Sequence, residues 1–258
     1  MESECWTMQL IQRETNIPVP HVRMVESDPN SPVGASFMLM DCLRGNVGMD
    51  LSMALPSEHK LGGFSTMVKI QIKMFNIRLP KIGKTTGIND DGSYRQGPIP
   101  GLGGPFNTAA EFFRAWSTKV EFGLSHDQLK DAAGSFADEI SISGLAFKAL
   151  MNDMGEELSS SNEDTFPICH GDFGHNNILF DDNYRLLGVI DWEGALAAPC
   201  EISGEFPLTL SVVPPTMDVS WNYDENGHPK DAETRQRFAD RELYFAIVRQ
   251  LEKERGLT

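Results

Sequence analysis

Cysteine is scarce in this chain: four occur in 258 residues, at positions 5, 42, 169 and 200, and none stand in a C-x-x-C pair. With no secretory leader ahead of them, they read as reduced thiols of a cytoplasmic protein. Long apolar runs are missing as well. None approaches the ~20 residues needed to cross a bilayer, so no membrane partner is expected. Basic residues are few, 22 Lys and Arg against 37 Asp and Glu, for a net charge of −15. A surface that tracks nucleic-acid phosphates needs clustered cations, so a nucleic-acid partner is excluded. The acidity itself is read as a solvated surface, with a cationic substrate as the alternative.

What is present suffices for a globular protein: 40% of the residues are hydrophobic, enough for one large domain or two small ones. Met1 to Arg13 reads as a helix, with Cys5, Met8 and Ile11 at helical spacing, and it stops before the prolines of "NIPVP". "SFMLMD" (36–41) is a short strand, and "CLRGN" a connector between two bodies of structure. Ser57 opens a second helix whose apolar face is Leu61, Phe64, Val68, Ile72 and Phe75. "KIGKTTG" (81–87) imitates the end of a P-loop, but Arg78 occupies the position where that loop requires glycine. "GPIPGLGGP" (97–105) reads as a surface loop and the best candidate for a mobile segment. From Thr108 to about Leu158 the pattern is helical again.

Chemistry concentrates further on, in "CHGDFGHNNILF" (169–180) and "GVIDWEGA" (188–195). "NILF" and "RLLGVI" are strand-like runs separated by the turn residues "DDNY", which makes a β-hairpin. Asp172 and Asn177 stand at its entry and Asp191 at its exit, so closing the hairpin brings the three side chains to one edge. One carboxylate and one amide oxygen suit Mg²⁺, which keeps waters and substrate phosphates for its other positions. A carboxylate beside it can orient an acceptor hydroxyl and take its proton. Read singly, Asp172 and Asn177 are also ordinary turn caps. The joint pattern favours the site. Zinc is not favoured, because His170 and His175 have only Cys169 near them.

The combination "HGDFGHNNILFD … GVIDWEGA" resembles the catalytic core of the aminoglycoside phosphotransferase and choline kinase-like family. The resemblance implies an α+β, protein kinase-like fold, with an incomplete small lobe and a mostly helical large lobe that carries the catalytic β-hairpin. It implies ATP and Mg²⁺ as cofactors and a small-molecule alcohol or amine-bearing acceptor. By resemblance, Asp172 is the catalytic Asp, and Asn177 and Asp191 are the Mg²⁺ ligands. "MDCLRG" becomes the hinge whose backbone around Asp41 and Leu43 would hold adenine. Glu4 takes the place of the helix Glu that pairs with the phosphate-binding Lys. On this reading residues 1–45 are the remnant of the N-terminal lobe with the hinge, and 46–258 the catalytic lobe.

The chain also departs from that pattern. Its first lysine is Lys60, too late in order for the phosphate-binding role, and no glycine-rich strand pair precedes the first helix. The helix "ETRQRFADRELYFAIVRQLEKER" is followed only by "GLT". A truncated or degenerate copy is therefore the expectation. Two functional classes follow: an ATP-dependent small-molecule phosphotransferase, and a non-catalytic kinase-like binding module. With no sheet ahead of them, the apolar faces of the first helix and of the 36–41 strand are expected to lie open and to promote association. Trp192 is read as packing, Glu193 as a carboxylate supporting the metal ligands or as surface, and Glu201 and Glu205 as solvated surface rather than a grip on a cation.

Overall fold

The structure, a computed structural model, describes residues 1–51, 55–121, 123, 125–213, 215 and 220–254. Helix α1 (Glu2–Glu14) buries Cys5, Met8, Leu10 and Ile11. It stops where Thr15 turns extended: the Thr15 hydroxyl donates to Ile11 O at 2.7 Å and accepts the Ile17 N–H. Pro18 and Pro20 then forbid further helix. There follow β1 (Val22–Glu26), β2 (Phe37–Met40), β3 (Asn46–Val47), α2 (Gly48–Leu51) and α3 (Ser57–Asn76). Next come β4 (Arg78–Leu79), β5 (Lys84–Ile88), β6 (Tyr94–Gly97), α4 (Ala109–Lys119), α5 (His126–Ala133) and α6 (Ala137–Asp153). The chain continues through β7 (Phe166–Cys169), β8 (Ile178–Phe180), β9 (Leu186–Val189), β10 (Leu196–Ala197), α7 (Cys200–Ser203) and α8 (Ala232–Glu254).

These elements form two compact units. The first takes Met1–Asn76, Cys169–Ala195 and the chain from Gly204 onward. Its three-stranded sheet runs β3-β8-β9, all antiparallel, and a separate hairpin joins β1 to β2. α1 lies against the short turn at Trp192–Gly194, and α8 seats on α3. The α3–α8 seam mixes apolar and polar contacts. The Phe64 and Tyr244 rings meet edge to face at 5.8 Å, the Tyr244 hydroxyl donates to Gln71 Oε1, and Lys60 Nζ lies 2.8 Å from both Asp240 oxygens. Burial pushes the Tyr244 hydroxyl far above its ordinary pKa, so it stays a donor. Lys60, the first lysine of the chain, is thus committed to a largely buried ion pair.

The second unit takes Ile77–Ile168 and Leu196–Ser203. It holds the sheet β10-β7-β4, the β5–β6 hairpin, and α4 and α5 packed on α6. Thr108 caps α4 by accepting the Glu111 N–H. Ser125 and Gln128 form a capping box on α5.

Several expectations are corrected. α1 is covered, and the 36–41 strand has a partner, because Val22–Glu26 forms a strand the sequence reading overlooked; among the large apolar residues of the two strands, Met24 and Leu39 stay exposed. The short "VRMVE" has no regular alternation, and only pairing makes it a strand. On α3 the buried stripe runs through Phe64, Met67, Val68, Ile70 and Met74, while Leu61 is exposed. The seam with α8, which takes Lys60, Phe64 and Gln71, lies along one side of this helix. The Gly/Pro stretch at 97–105 is a hydrogen-bonded turn: Ile99 and Gly103 exchange both backbone bonds, as do Ile82 and Phe106. Residues 84–87 of the P-loop mimic belong to strand β5. The C-terminal helix ends within the described residues at Glu254, and Arg255 and "GLT" lie outside them. Among the described residues no helix is long and apolar enough to cross a membrane.

Candidate active site

The pairing of β8 with β9 sets the geometry. Ile178 faces Val189 and Leu179 faces Gly188, so Asn177 and Ile190 meet at the open end of the ladder, where the Ile190 N–H donates to Asn177 O at 3.0 Å. Asp191 follows directly, exposed, with φ 63° and ψ 57°. A left-handed backbone is uncommon for a residue with a side chain and costs on the order of 1 kcal/mol, although Asp tolerates it better than most. The strain therefore falls on the residue whose aim matters.

On the entry side, the Asn177 amide nitrogen donates to Asp172 Oδ2 at 2.7 Å and to Asp172 O at 2.9 Å. Asn176 Nδ2 reaches the same carboxylate oxygen at 3.4 Å. The Asn177 amide is thus fixed: its nitrogen is committed to Asp172, which leaves its oxygen, a hard donor, as the other end of the group. One Asp172 oxygen is held, while Oδ1 accepts no hydrogen bond among the described residues. An amide oxygen and a carboxylate, Asn177 and Asp191, make a donor set that fits Mg²⁺ and not a soft metal. Among the described residues no group of three or more His, Cys, Asp or Glu could hold a metal ion.

His170 ties entry to exit. A carbonyl only accepts, so the 2.9 Å contact between His170 Nε2 and Ile190 O places the ring proton on Nε2. Nδ1 is buried without a hydrogen bond. Burial pushes the His170 pKa below its ordinary value, although the Ile190 carbonyl and the charges of Asp191 and Asp172 pull the other way. The ring is neutral and sits 4.6 Å from that of Trp192, which is fully buried and donates its indole N–H to Val189 O. Behind it the backbones nearly touch: Gly171 has φ 82°, and a Cβ there would stand 2.5 Å from Gly194 O. The "HGD" glycine is therefore a requirement of packing as well as of turn geometry.

The other expected residues stand as follows. Glu4 is half-buried on α1, the helix that lies against the Trp192–Gly194 turn. Asp41 pairs its carboxylate bidentately with Arg23, at 2.8 and 3.1 Å, and gives its N–H to His21 O. The hydrogen bonds from Arg23 hold the Asp41 pKa below the usual carboxylate range. Leu43 packs its side chain onto Gly188 of β9. Glu193 is exposed. Glu201 is exposed, as the surface reading has it, and its two oxygens also accept the Ser159 hydroxyl and the Ser160 N–H and hydroxyl at 2.8 to 3.0 Å. Burial pushes that carboxyl up, yet these bonds together hold it below its ordinary pKa. Sequence reasoning missed Thr209, which touches the loop between Asp172 and Asn177 from 34 residues beyond His175. No motif or periodicity in "PLTLS" marks it.

The chain is similar to known proteins. The model of the phosphotransferase enzyme family (APH) matches residues 105–200, a stretch that contains both motifs. Clavilactone A biosynthesis cluster protein Y of Ampulloclitocybe clavipes is 27% identical over 260 residues, covering 96% of this chain and 58% of that protein. Among solved structures, a Ralstonia eutropha protein assigned to the aminoglycoside phosphotransferases superposes with a TM-score of 0.53 at 17% identity, covering 96% of this chain and 65% of that one. A thermostable mutant of aminoglycoside phosphotransferase APH(4)-Ia, solved with ADP and hygromycin B, has a TM-score of 0.42 at 18% identity, covering 76% and 57%. The chain thus spans less than two thirds of the length of each. The fold expected from "HGDFGHNN" and "IDWE" is borne out: it is the kinase-like one that the Ralstonia eutropha structure shares.

Proposed function

We propose that this chain carries the catalytic loop of an ATP-dependent phosphotransferase acting on a hydroxyl of a small molecule, an alcohol or an amine-bearing compound. The observation that supports it most is the joint fixing of three groups: Asp172 oriented by Asn177, and Asp191 set beside Asn177 through the Ile190 N–H. Asn177 and Asp191 would hold Mg²⁺, which when bound would neutralise charge on the nucleotide phosphates. Asp172 would accept the proton of the acceptor hydroxyl, its carboxylate already aimed by two amide donors. Glu4, Asp41 and Leu43 belong to the same reading as the nucleotide side of the site. The division at residue 45 into a nucleotide-side segment and a catalytic lobe is part of it too.

A second reading, a kinase-like module that binds without catalysis, is favoured by one observation: the first lysine of the chain is bound into the α3–α8 seam by Asp240. One set of measurements separates the two. Asp191→Ala should abolish the metal-dependent part of ATP binding in calorimetry. Asp172→Asn should leave ATP affinity nearly unchanged and lower turnover on a panel of amino sugars and amino alcohols by roughly 10²–10⁴-fold. Equal Mg-ATP binding by wild type and Asp191→Ala removes the metal assignment. Absence of turnover with every acceptor, with Mg-ATP still bound, favours the module.

A further inference from the structure

A set of hydrogen bonds converges on the four-residue stretch between Asp172 and Asn177. Thr209 Oγ1 accepts the backbone N–H of His175 at 2.9 Å and lies 2.8 Å from His175 Nδ1. The Leu208 N–H donates to Phe173 O at 2.7 Å. From the other side, the Gly48 N–H donates to His175 O at 2.7 Å. Gly174, between them, is closely packed: a Cβ there would press on Asn176 Oδ1 and stand 3.2 Å from that of Leu208. The loop is therefore gripped on its backbone and through one ring.

The gripping segment is itself anchored. Leu208–Leu210 is a 3₁₀ turn closed by the Leu210 N–H on Pro207 O, with the Leu210 side chain buried. Arg241 of α8 donates its Nε to Leu210 O at 2.8 Å and stacks its guanidinium 4.5 Å over the Phe206 ring. Arg237 of the same helix reaches Ser211 O. A long, regular helix thus holds the turn, and the turn holds the loop.

We infer that Thr209 is a positioning residue for phosphotransfer, acting through His175 to keep the backbone between Asp172 and Asn177 at its working spacing. The inference rests on the phosphotransfer reading above. A hydroxyl suits the place because it accepts a backbone N–H and still faces a ring nitrogen with a proton or a lone pair to offer. Valine has the same shape and neither capacity, so it would leave a buried N–H and a ring nitrogen unpaired. Catalysis by positioning is sensitive to such a loss, since small displacements of reacting groups lower the rate far more than they lower binding.

The test compares the full protein with its Thr209→Val and Thr209→Ser variants in kinetics, hydrogen exchange and the ring ¹⁵N signals of His175. For Thr209→Val we expect kcat to fall about tenfold with KM for ATP within about twofold of wild type. The His175 amide should exchange on the order of tenfold faster, and its ring signals should shift. Thr209→Ser, which keeps the hydroxyl, should restore all three. Wild-type kcat and exchange in Thr209→Val overturn the inference. So does a fall in melting temperature and a rise in KM that Thr209→Ser fails to reverse, because that pattern marks a merely structural contact. If wild type transfers phosphate to no acceptor, the phosphotransfer reading falls and takes the catalytic role with it. Wild-type turnover with an unaltered Thr209→Val sinks Thr209 alone.

Discussion

The loop at 169–177 and helix α6 make opposite use of their side chains. In the loop directional bonds fix the side chains: His170 on Ile190, Asn177 on Asp172, His175 on Thr209. Phe173, Gly174, His175 and Asn177 are buried with it. On α6 only Ala137 is buried, while Ile140, Ile142, Leu145, Phe147 and Leu150 are exposed, Leu145 at 70%. Trp116 meets Phe147 edge to face, and Lys148 donates to Val120 O, but these fix only one side of the helix. The two regions differ in what specifies them. Directional hydrogen bonds name their partners, whereas an apolar stripe asks only for cover and does not say by what.

Three measurements probe that contrast. The largest effect belongs to Trp192, whose ring is 0% exposed and whose indole N–H is bonded to Val189 O. Trp192→Ala should cost about 3–5 kcal/mol in denaturant unfolding, since the cavity lies between the loop residue His170 and the turn that follows Asp191. A loss below about 1 kcal/mol would show that the loop keeps its shape without this support.

An intermediate effect concerns acid. The fold holds His170 neutral, with its pKa below the ordinary 6.5. The unfolded chain therefore takes the proton first, and the contribution of His170 is fully present above that value. It is lost progressively as pH falls from there toward the lowered pKa of the fold. Melting temperature measured across this window should drop, and His170→Asn, which keeps a donor and does not titrate, should flatten that part of the acid limb. An unchanged slope would assign the acid sensitivity to other groups.

The smallest effect is expected on α6. Leu145→Ser should shift unfolding stability by no more than about 0.5 kcal/mol, because the side chain leaves water hardly at all on folding. A loss of 2 kcal/mol or more would mean that this face is covered in solution, and would erase the contrast with the loop.

Much of the candidate site was legible before any fold was known. "NILF" and "RLLGVI" are apolar runs flanking a turn, and they do become β8 and β9 around Asp181, whose carboxylate accepts the Asn183 and Arg185 N–H groups. Hairpin closure alone brings Asn177 and Ile190 together. α1 was legible for the same reason, its period carried by Cys5, Met8 and Ile11. β1 was not, because "VRMVE" lacks alternation and owes its extended form to β2. The hydrogen bonds of the exposed Glu201 were not legible either, since its partners, Ser159 and Ser160, lie some forty residues earlier.

The sequence by itself determined the identity and spacing of the candidate site groups: a carboxylate, an amide five residues on, and a second carboxylate just past a strand that must fold back. Those relations lie within one hairpin, where backbone geometry converts spacing into proximity. Tertiary structure alone decided how firmly they are held. Thr209 reaches His175, Gly171 admits Gly194, and Asp240 takes Lys60 from 180 residues away. Such pairings carry no periodic trace, because contact between distant residues depends on how the whole chain packs and not on any local preference of its backbone.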